Sequence, residues 1–554
     1  MVSLLGREFR FDIALFAFLG LLISVIHWDA LYYAYDTPKW FVFDVGLSLF
    51  LLKNRNCFQR IELGFLGLLC CCFLLSAILL SFKAAHTSMA VEFTYRYILV
   101  IATVYTLIGK YSSDTLFKLL QCTVMVSVVG FVLIFYLERY WLERPYNVGS
   151  FSTFGFINNL GQVFNIWLPV LAWLIIRNRR SIRMLVLLLP LTIAAVSVLM
   201  EASVRACIFG LFLGEGIVFL LMLVRDFKRA FLFLSTSLAL LLGIAAYTFI
   251  DGLEGGRLSN KLSEMENAIA ASQARLDMFS NTIEMTLENP MGVGTNNFEY
   301  YHPYYARPGQ PGASPYVNEH QVLRTPHNII LKIYSEQGVL GGTIFLAILL
   351  WLYVSALRNA FSGGFYDRWL LVACTALLFH SMLSAVFLTP GSLFFAIPIF
   401  ALIVRRSREL RPAGSMVCSP YSFSGSVLPA VVAVLVISGS WLLSDFYGNK
   451  GVRSYDVEAL KLALRLNPSN DRALYALSHV QYRRYHDIAA SLDSIEKFIQ
   501  KYPYHIAANQ IKSERLYQLG RYSEAMDNTW KLLSYYPVYQ KAWQLERSIR
   551  NKMN

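Results

Sequence analysis

Charge is scarce in this 554-residue chain: Asp, Glu, Lys and Arg together make up 15% of it. Soluble domains carry about 25% charged residues, so there is too little charge here to clothe a water-facing surface. Informative cysteine is lacking too. The eight cysteines (Cys57, Cys70, Cys71, Cys72, Cys122, Cys207, Cys374 and Cys418) lie in or beside apolar runs. The triplet Cys70-Cys71-Cys72 lacks C-x-x-C spacing, which argues against a zinc knuckle or a redox pair. Neither long polar region contains a cysteine, so no disulfide staples them. No divalent-metal motif such as D-x-D is present, and no metal or cofactor is expected. Disorder, collagen-like repeats and a disulfide scaffold are excluded by the same composition.

Hydrophobic residues, at 56%, dominate instead. Apolar runs near the roughly 20-residue spanning length recur along the first four-fifths of the chain. They predict an all-α polytopic membrane bundle of about 12–13 spans, at 12–28, 39–52, 62–82, 93–109, 115–137, 161–176, 184–200, 206–224, 230–250, 340–357, 369–388, 391–404 and 427–444. Arg7 and Arg10 before Ile13–Ile26 resemble a signal sequence. His27-Trp28-Asp29-Ala30 lacks a small-residue cleavage pattern, so the run reads as an uncleaved first span. The net charge of +13 would suggest a nucleic-acid partner in a soluble protein. Here much of the excess lies in short loops, as the positive-inside rule expects, and no nucleic acid is predicted. Lys53/Arg55/Arg60, Lys110/Lys118, Arg177/Arg179/Arg180/Arg183, Arg225/Lys228/Arg229, Arg358/Arg368 and Arg405/Arg406/Arg408/Arg411 fall on alternate loops. That alternation predicts a cytoplasmic N-terminus, in the inner membrane if the cell has two.

The chain divides into an N-terminal bundle (1–250), a polar loop (251–339), further spans (340–444) and a C-terminal domain (452–554). Both polar regions are expected on the periplasmic face. In the C-terminal domain Asn467-Pro468, Tyr502-Pro503 and Tyr536-Pro537 are separated by 35 and then 34 residues, and Leu519-Gly520-Arg521-Tyr522 lies between the last two. This spacing resembles the tetratricopeptide repeat, in which glycine lets helices approach and proline stops them. Such a solenoid implies a possible protein partner on its concave surface.

Residues 251–339 are too long for a passive connector. Leu258–Glu288 has helical periodicity. Asn289–Phe298 reads as a turn-rich break, and a Tyr/Pro/Gly-rich stretch containing Tyr300, Tyr301, Tyr304, Tyr305 and Tyr316 follows. Thr325 is a good N-cap and Pro326 suits the first helical position, which places His327 in a helix's first turn. The positive helix end would hold that imidazole neutral, able to accept a proton from a hydroxyl.

The string His327-Asn328-x-x-Leu331, with Glu336-x-Gly338 and Gly341, resembles the signature of the O-antigen ligase superfamily. Ser203-Val204-Arg205 resembles its S-R element, with Val204 interrupting the usual adjacent pair. Arg275 followed by Pro290-x-x-Gly-Val-Gly294-x-Asn-Asn297-Phe298 resembles the stretch before the histidine. Gly149-x-Phe151 to Asn158-Asn159-Leu160-Gly161 resembles an upstream element. The resemblance implies a membrane glycosyltransferase that moves an oligosaccharide from undecaprenyl diphosphate to a hydroxyl acceptor, with inversion and without metal. The acceptor would be lipid A-core or a protein. A protein O-oligosaccharyltransferase with a pilin-type acceptor and an O-antigen polymerase are the alternatives within the group. A transporter or a membrane assembly scaffold is the alternative outside it.

The resemblance implies His327 as catalytic base and Arg205 and Arg275 as the diphosphate clamp. Asn328, Glu336, Asn158, Asn159, Gly294 and Asn297 would support or bind substrate. Other readings stay open. Arg205 could pair with Glu201 at i,i+4, Arg275 could be a solvated charge near Asp277, and Asn158 and Asn159 could cap a helix. Glu215 is expected to face the bundle interior, and the tyrosines of 300–316 could stack on sugars or sit in an interfacial belt.

Overall fold

The computed structural model describes residues 2–59, 61–144, 151–225, 230, 265–306, 323–410, 416–418 and 424–554. Residues 231–250 of the predicted span 230–250, the residues 251–264, Gly149 and Tyr316 lie outside the described residues. The membrane part contains α1 (Val2–Val25), α2 (Thr37–Lys53), α3 (Phe65–Lys83), α4 (Thr87–Lys110), α5 (Ser113–Tyr136), α6 (Ile157–Arg177), α7 (Ile182–Ala202) and α8 (Arg205–Arg225). It continues with α9 (Met265–Glu288), α10 (Phe298–Tyr305), α11 (Ile329–Ser362), α12 (Phe365–Ser381), α13 (Pro390–Leu410) and α14 (Ser424–Ser454). Among the described residues nine helices are long and apolar enough to cross a membrane. Every predicted span except 230–250 falls on one of these helices, although not all of them meet that length and apolarity. A short antiparallel pair, β1 (Ile61–Leu63) with β2 (Met416–Cys418), was not anticipated from the sequence.

The core is built where large side chains leave water altogether. Phe131 on α5, Phe164 and Trp167 on α6 and Phe395 on α13 are fully buried and meet mostly tilted or edge-on, the arrangement that ring quadrupoles favour.

Residues of three of the basic loops meet at one end of the bundle, where Arg405 donates to the Ile108 carbonyl near Lys110. Lys53 and Lys110 both bond the buried Asp12, at 2.7 and 2.8 Å, and Arg406 meets Asp367 at 3.2 Å. The long polar loop lies at the opposite end, because Asn297 accepts from the backbone of His86, next to the start of α4.

That opposite end also carries the C-terminal domain. Six helices follow one another there: α15 (Val457–Leu466), α16 (Asp471–Tyr485), α17 (Ile488–Lys501), α18 (Ile506–Gln518), α19 (Tyr522–Tyr535) and α20 (Gln540–Met553). Capping side chains start four of them. Asp456, Asn470, Asp487 and His505 accept from backbone N–H groups two or three residues on, satisfying donors that a helix start leaves orphaned. The three prolines fall between α15 and α16, α17 and α18, and α19 and α20. Helix α14 runs on beyond the predicted span 427–444 to Ser454, so a single helix joins the bundle to this domain.

Candidate active site

The polar loop begins with an interlock of two backbone irregularities. Helix α11 is broken at Gly338, which has φ +69°, a left-handed conformation that favours glycine. The break frees the carbonyls of Ser335 and Glu336. They accept from the N–H groups of Val293 and Gly294, both at 3.0 Å, while Val339 N–H donates back to Pro290. A Cβ on Gly338 would lie 2.5 Å from the Pro290 carbonyl oxygen. The P-x-x-G-V-G and E-x-G elements are therefore two sides of one backbone joint.

Glu336 locks that joint. Its carboxylate is fully buried and accepts from Lys332 at 2.6 Å and from the backbone N–H of Phe298 at 3.1 Å. Asn297, also fully buried, holds the backbone of His86 with its amide oxygen and donates to the Thr295 carbonyl. Gly294, at φ +107°, lies so close to Ala84 that a Cβ would come within 2.6 Å of that residue's Cα. Glu336, Asn297 and Gly294 thus build the scaffold of the site.

His327 does not lie in the first turn of a helix. The N-cap of α11 is Asn328, whose side-chain oxygen accepts from Leu331 N–H at 3.1 Å. Asparagine outranks threonine as an N-cap, and the helix starts after it. His327 precedes the cap in a left-handed conformation, φ +54°. It is still held neutral, for a different reason: burial pushes its pKa down to about 4, and the nearby Arg275 guanidinium pushes in the same direction. Burial and a like charge both disfavour the imidazolium.

Arg275, on α9, also lies close enough to act electrostatically on His380 at the end of α12. His380 is fully buried, and its Nδ1 meets the Asn165 amide of α6 at 2.9 Å. Its ring borders Gly161, where a Cβ would fall 3.1 Å from Cε1, and Val204 packs on the same glycine. Val204 belongs to the elbow between α7 and α8, where Ser203 turns left-handed at φ +52°. Arg205 follows, as the first residue of α8 with an exposed side chain. The elbow places Glu201 and Arg205 on different helices. Glu201 pairs with Arg139 at 3.3 Å. Glu215 is buried, as expected of an acidic residue in an apolar helix.

Asn158 and Asn159 sit in the first turn of α6, whose N-cap is Phe156, so neither is the cap. Asn159 instead lines a cavity of about 410 Å³ that extends from Thr325 to the C-terminal domain. Four cations in that cavity escaped the sequence reading, Arg472 of the C-terminal domain and three from the bundle and its polar loop. Arg96 is bonded to Asp44 at 3.3 Å and stacks on Trp40. Arg324 pairs with Glu299 at 3.6 Å and donates to the Tyr33 hydroxyl. Lys332 is the partner of Glu336. Arg324 is the one with a usable signal, since it precedes the Thr-Pro-His string directly.

Two of the described tyrosines, Tyr300 and Tyr304, pack against the C-terminal domain. Tyr300 is buried, with its ring 4.3 Å from Tyr502 and 5.3 Å from His86, and Tyr304 meets Tyr504 at 5.0 Å. They join α10 to the C-terminal domain.

Arg275 thus lies near both His327 and His380, and the elbow preceding Arg205 packs on the same Gly161 that His380 borders. Residues 190–346 match the O-antigen ligase family. The matched segment contains the elbow, Arg275, the backbone joint and His327, while Asn158, Asn159 and the C-terminal domain lie outside it. No curated protein matches the chain. The family match supports a membrane glycosyltransferase or ligase of the O-antigen ligase superfamily, with a glycan donor and an acceptor.

Proposed function

We propose that the chain transfers an oligosaccharide from undecaprenyl diphosphate to a hydroxyl acceptor, with His327 accepting the hydroxyl proton. What carries the reading is a half-buried histidine kept neutral beside a permanent cation, Arg275, inside the segment that matches the O-antigen ligase family. The acceptor oxygen attacks the anomeric carbon, its proton passes to the imidazole, and the C–O bond to the diphosphate breaks with inversion. The leaving diphosphate takes the electron pair and is held by Arg275 and Arg205, whose guanidinium forks match phosphate oxygens. Asn159 would meet substrate at the cavity edge, and Asn328, Glu336, Gly294 and Asn297 hold the frame. The basic residues at the far end of the bundle support a cytoplasmic assignment for that end, in keeping with a site on the periplasmic face of a bacterial inner membrane. The helix pairs of the C-terminal domain, with their proline stops, support a tetratricopeptide-like reading.

The experiment is transfer by purified protein from a polyprenyl-diphosphate oligosaccharide to candidate lipid, protein and glycan acceptors, followed by acceptor mass. Gain of a glycan mass on one class, unchanged by EDTA, would identify the branch. No gain on any acceptor, despite demonstrated donor binding, would reject the transferase reading in favour of transport or scaffolding.

A further inference from the structure

The cavity that begins at Asn159 and Thr325 is closed on its far side by the C-terminal domain. Ser469, Asn470, Asp471 and Arg472, at the start of α16, line it together with Tyr502. This wall is fixed in place. Asn470 donates to Ser444 Oγ of α14 at 3.0 Å, and Asp445 on the same helix accepts from Tyr33 N–H and Thr37. Asp471 accepts from Tyr502 at 2.9 Å and meets His86 at 3.1 Å.

The lining has a mixed chemistry. Five carboxylates (Asp36, Glu92, Glu299, Asp445 and Asp471) face four cations, Arg96, Arg324, Lys332 and Arg472. The first three of those cations are already engaged by acidic residues. Such a balance does not favour a diphosphate, which needs uncommitted positive charge. Aromatic residues, among them Tyr33, Trp40, Trp441 and Tyr502, share the walls with amides that include those of Asn159, Asn296 and Asn467. Three buried hydrogen-bonding atoms of the lining, Thr325 Oγ1, Ser469 Oγ and one terminal nitrogen of Arg472, have no partner among the described residues. Buried polar atoms of this kind are rarely left unsatisfied. Sugars offer what the walls ask for: hydroxyls that both donate and accept, and C–H faces that pack on aromatic rings.

We infer that this cavity is a saccharide-binding site in which the C-terminal domain supplies one wall, through Ser469 and Arg472. The inference rests on the transferase reading for which glycan enters, donor-linked or acceptor-borne. The volume lies within the range of ligand pockets. The C-terminal domain then acts as part of the substrate site and sets which sugar fits.

The test uses the full-length protein in nanodiscs, with saturation-transfer NMR and calorimetry. The probes are delipidated host glycan cleaved from the donor, delipidated lipopolysaccharide core oligosaccharide, and undecaprenyl diphosphate without sugar. Binding of one of the two glycans to the wild type names its source. Arg472→Ala is expected to weaken that glycan by about tenfold, the usual effect of losing a hydrogen bond from a charged group. Ser469→Phe, which fills the cavity, is expected to abolish binding, and both variants should retain undecaprenyl diphosphate affinity. Failure of both glycans to bind the wild type, or wild-type glycan affinity retained in both variants, would overturn the inference. Glycan binding that depends on Arg472 without any transfer would sink the transferase reading alone. Transfer with an unchanged KM in Ser469→Phe would sink this inference alone.

Discussion

His327 is neutral because it is partly withdrawn from water and because Arg275 stands near it. The kcat/KM for transfer, which reports the free protein, is expected to hold from neutral pH down to well below 6.5 and to decline only as pH falls through about 4. The sign follows from the depressed pKa: protonation, which removes the proton acceptor, is postponed to lower pH. Arg275→Gln removes the smaller of the two causes, so the acidic limb of its residual pH–rate profile should move part of the way back towards 6.5. An acidic limb already near 6.5 in the wild type would contradict the assignment. Anionic diphosphate beside the ring acts in the opposite sense, so the His327 pKa, followed by NMR of the labelled ring, should rise when undecaprenyl diphosphate is added. Glu336 differs in kind. Changing it to alanine strands the buried Lys332 ammonium, at a cost of roughly 3–5 kcal/mol, and should appear as a lowered thermal midpoint. The histidine was legible from its string of neighbours, but its cap was not, because Thr325 and Asn328 are both good caps and only the backbone decides between them.

At the scale of elements, two glycines with similar backbones separate strain from crowding. Gly338 and Gly520 have φ values of +69° and +74°. A Cβ on Gly520 meets nothing within 4 Å, whereas one on Gly338 runs into the backbone of Pro290 and Met291. Gly520→Ala should therefore cost roughly 1–2 kcal/mol, the price of a left-handed alanine. Gly338→Ala should cost roughly 2–5 kcal/mol, since overpacking adds to that strain. Thermal unfolding of the two variants checks the order, and equal losses would mean that the α11 joint is not the tight contact described. The helices themselves were readable from run length and apolarity, including α14, although its continuation past Leu443 was hidden by its change to polar composition. The break in α11 was not readable as a break. Glu336-x-Gly338 and Pro290-x-x-Gly looked like separate motifs, and their meeting depends on hydrogen bonds between segments some 45 residues apart.

The whole molecule is organised by contacts that no local pattern encodes. His86 meets Asp471 across 385 residues of sequence, and Tyr33 N–H meets Asp445 across 412. The repeat-like spacing of prolines pointed to helix pairs, and the sequence offered a protein partner for their surface. It could not show that the start of α16 and Tyr502 close a cavity beside the loop that carries His327. Asp471 is the shared acceptor of that junction, taking bonds from Tyr300, Tyr502 and Lys501 as well as meeting His86. Asp471→Ala should loosen the junction without unfolding the helices. Hydrogen exchange is then expected to rise at 86–90 and 467–474 while α19 and α20 stay unchanged, and unchanged exchange at the junction would show that Asp471 does not hold it.

The central claim is that His327 takes part in the chemical step and not merely in holding the fold or the donor. The direct measurement is acceptor mass after incubation with polyprenyl-diphosphate oligosaccharide, for wild type and His327→Ala side by side, with donor affinity measured on the same preparations. The account predicts a glycan adduct with the wild type, donor affinity within about threefold in the variant, and transfer reduced by about 10²–10⁴-fold, the usual contribution of a positioned acid–base group. Transfer at the wild-type rate in His327→Ala, with the same donor affinity, would contradict it.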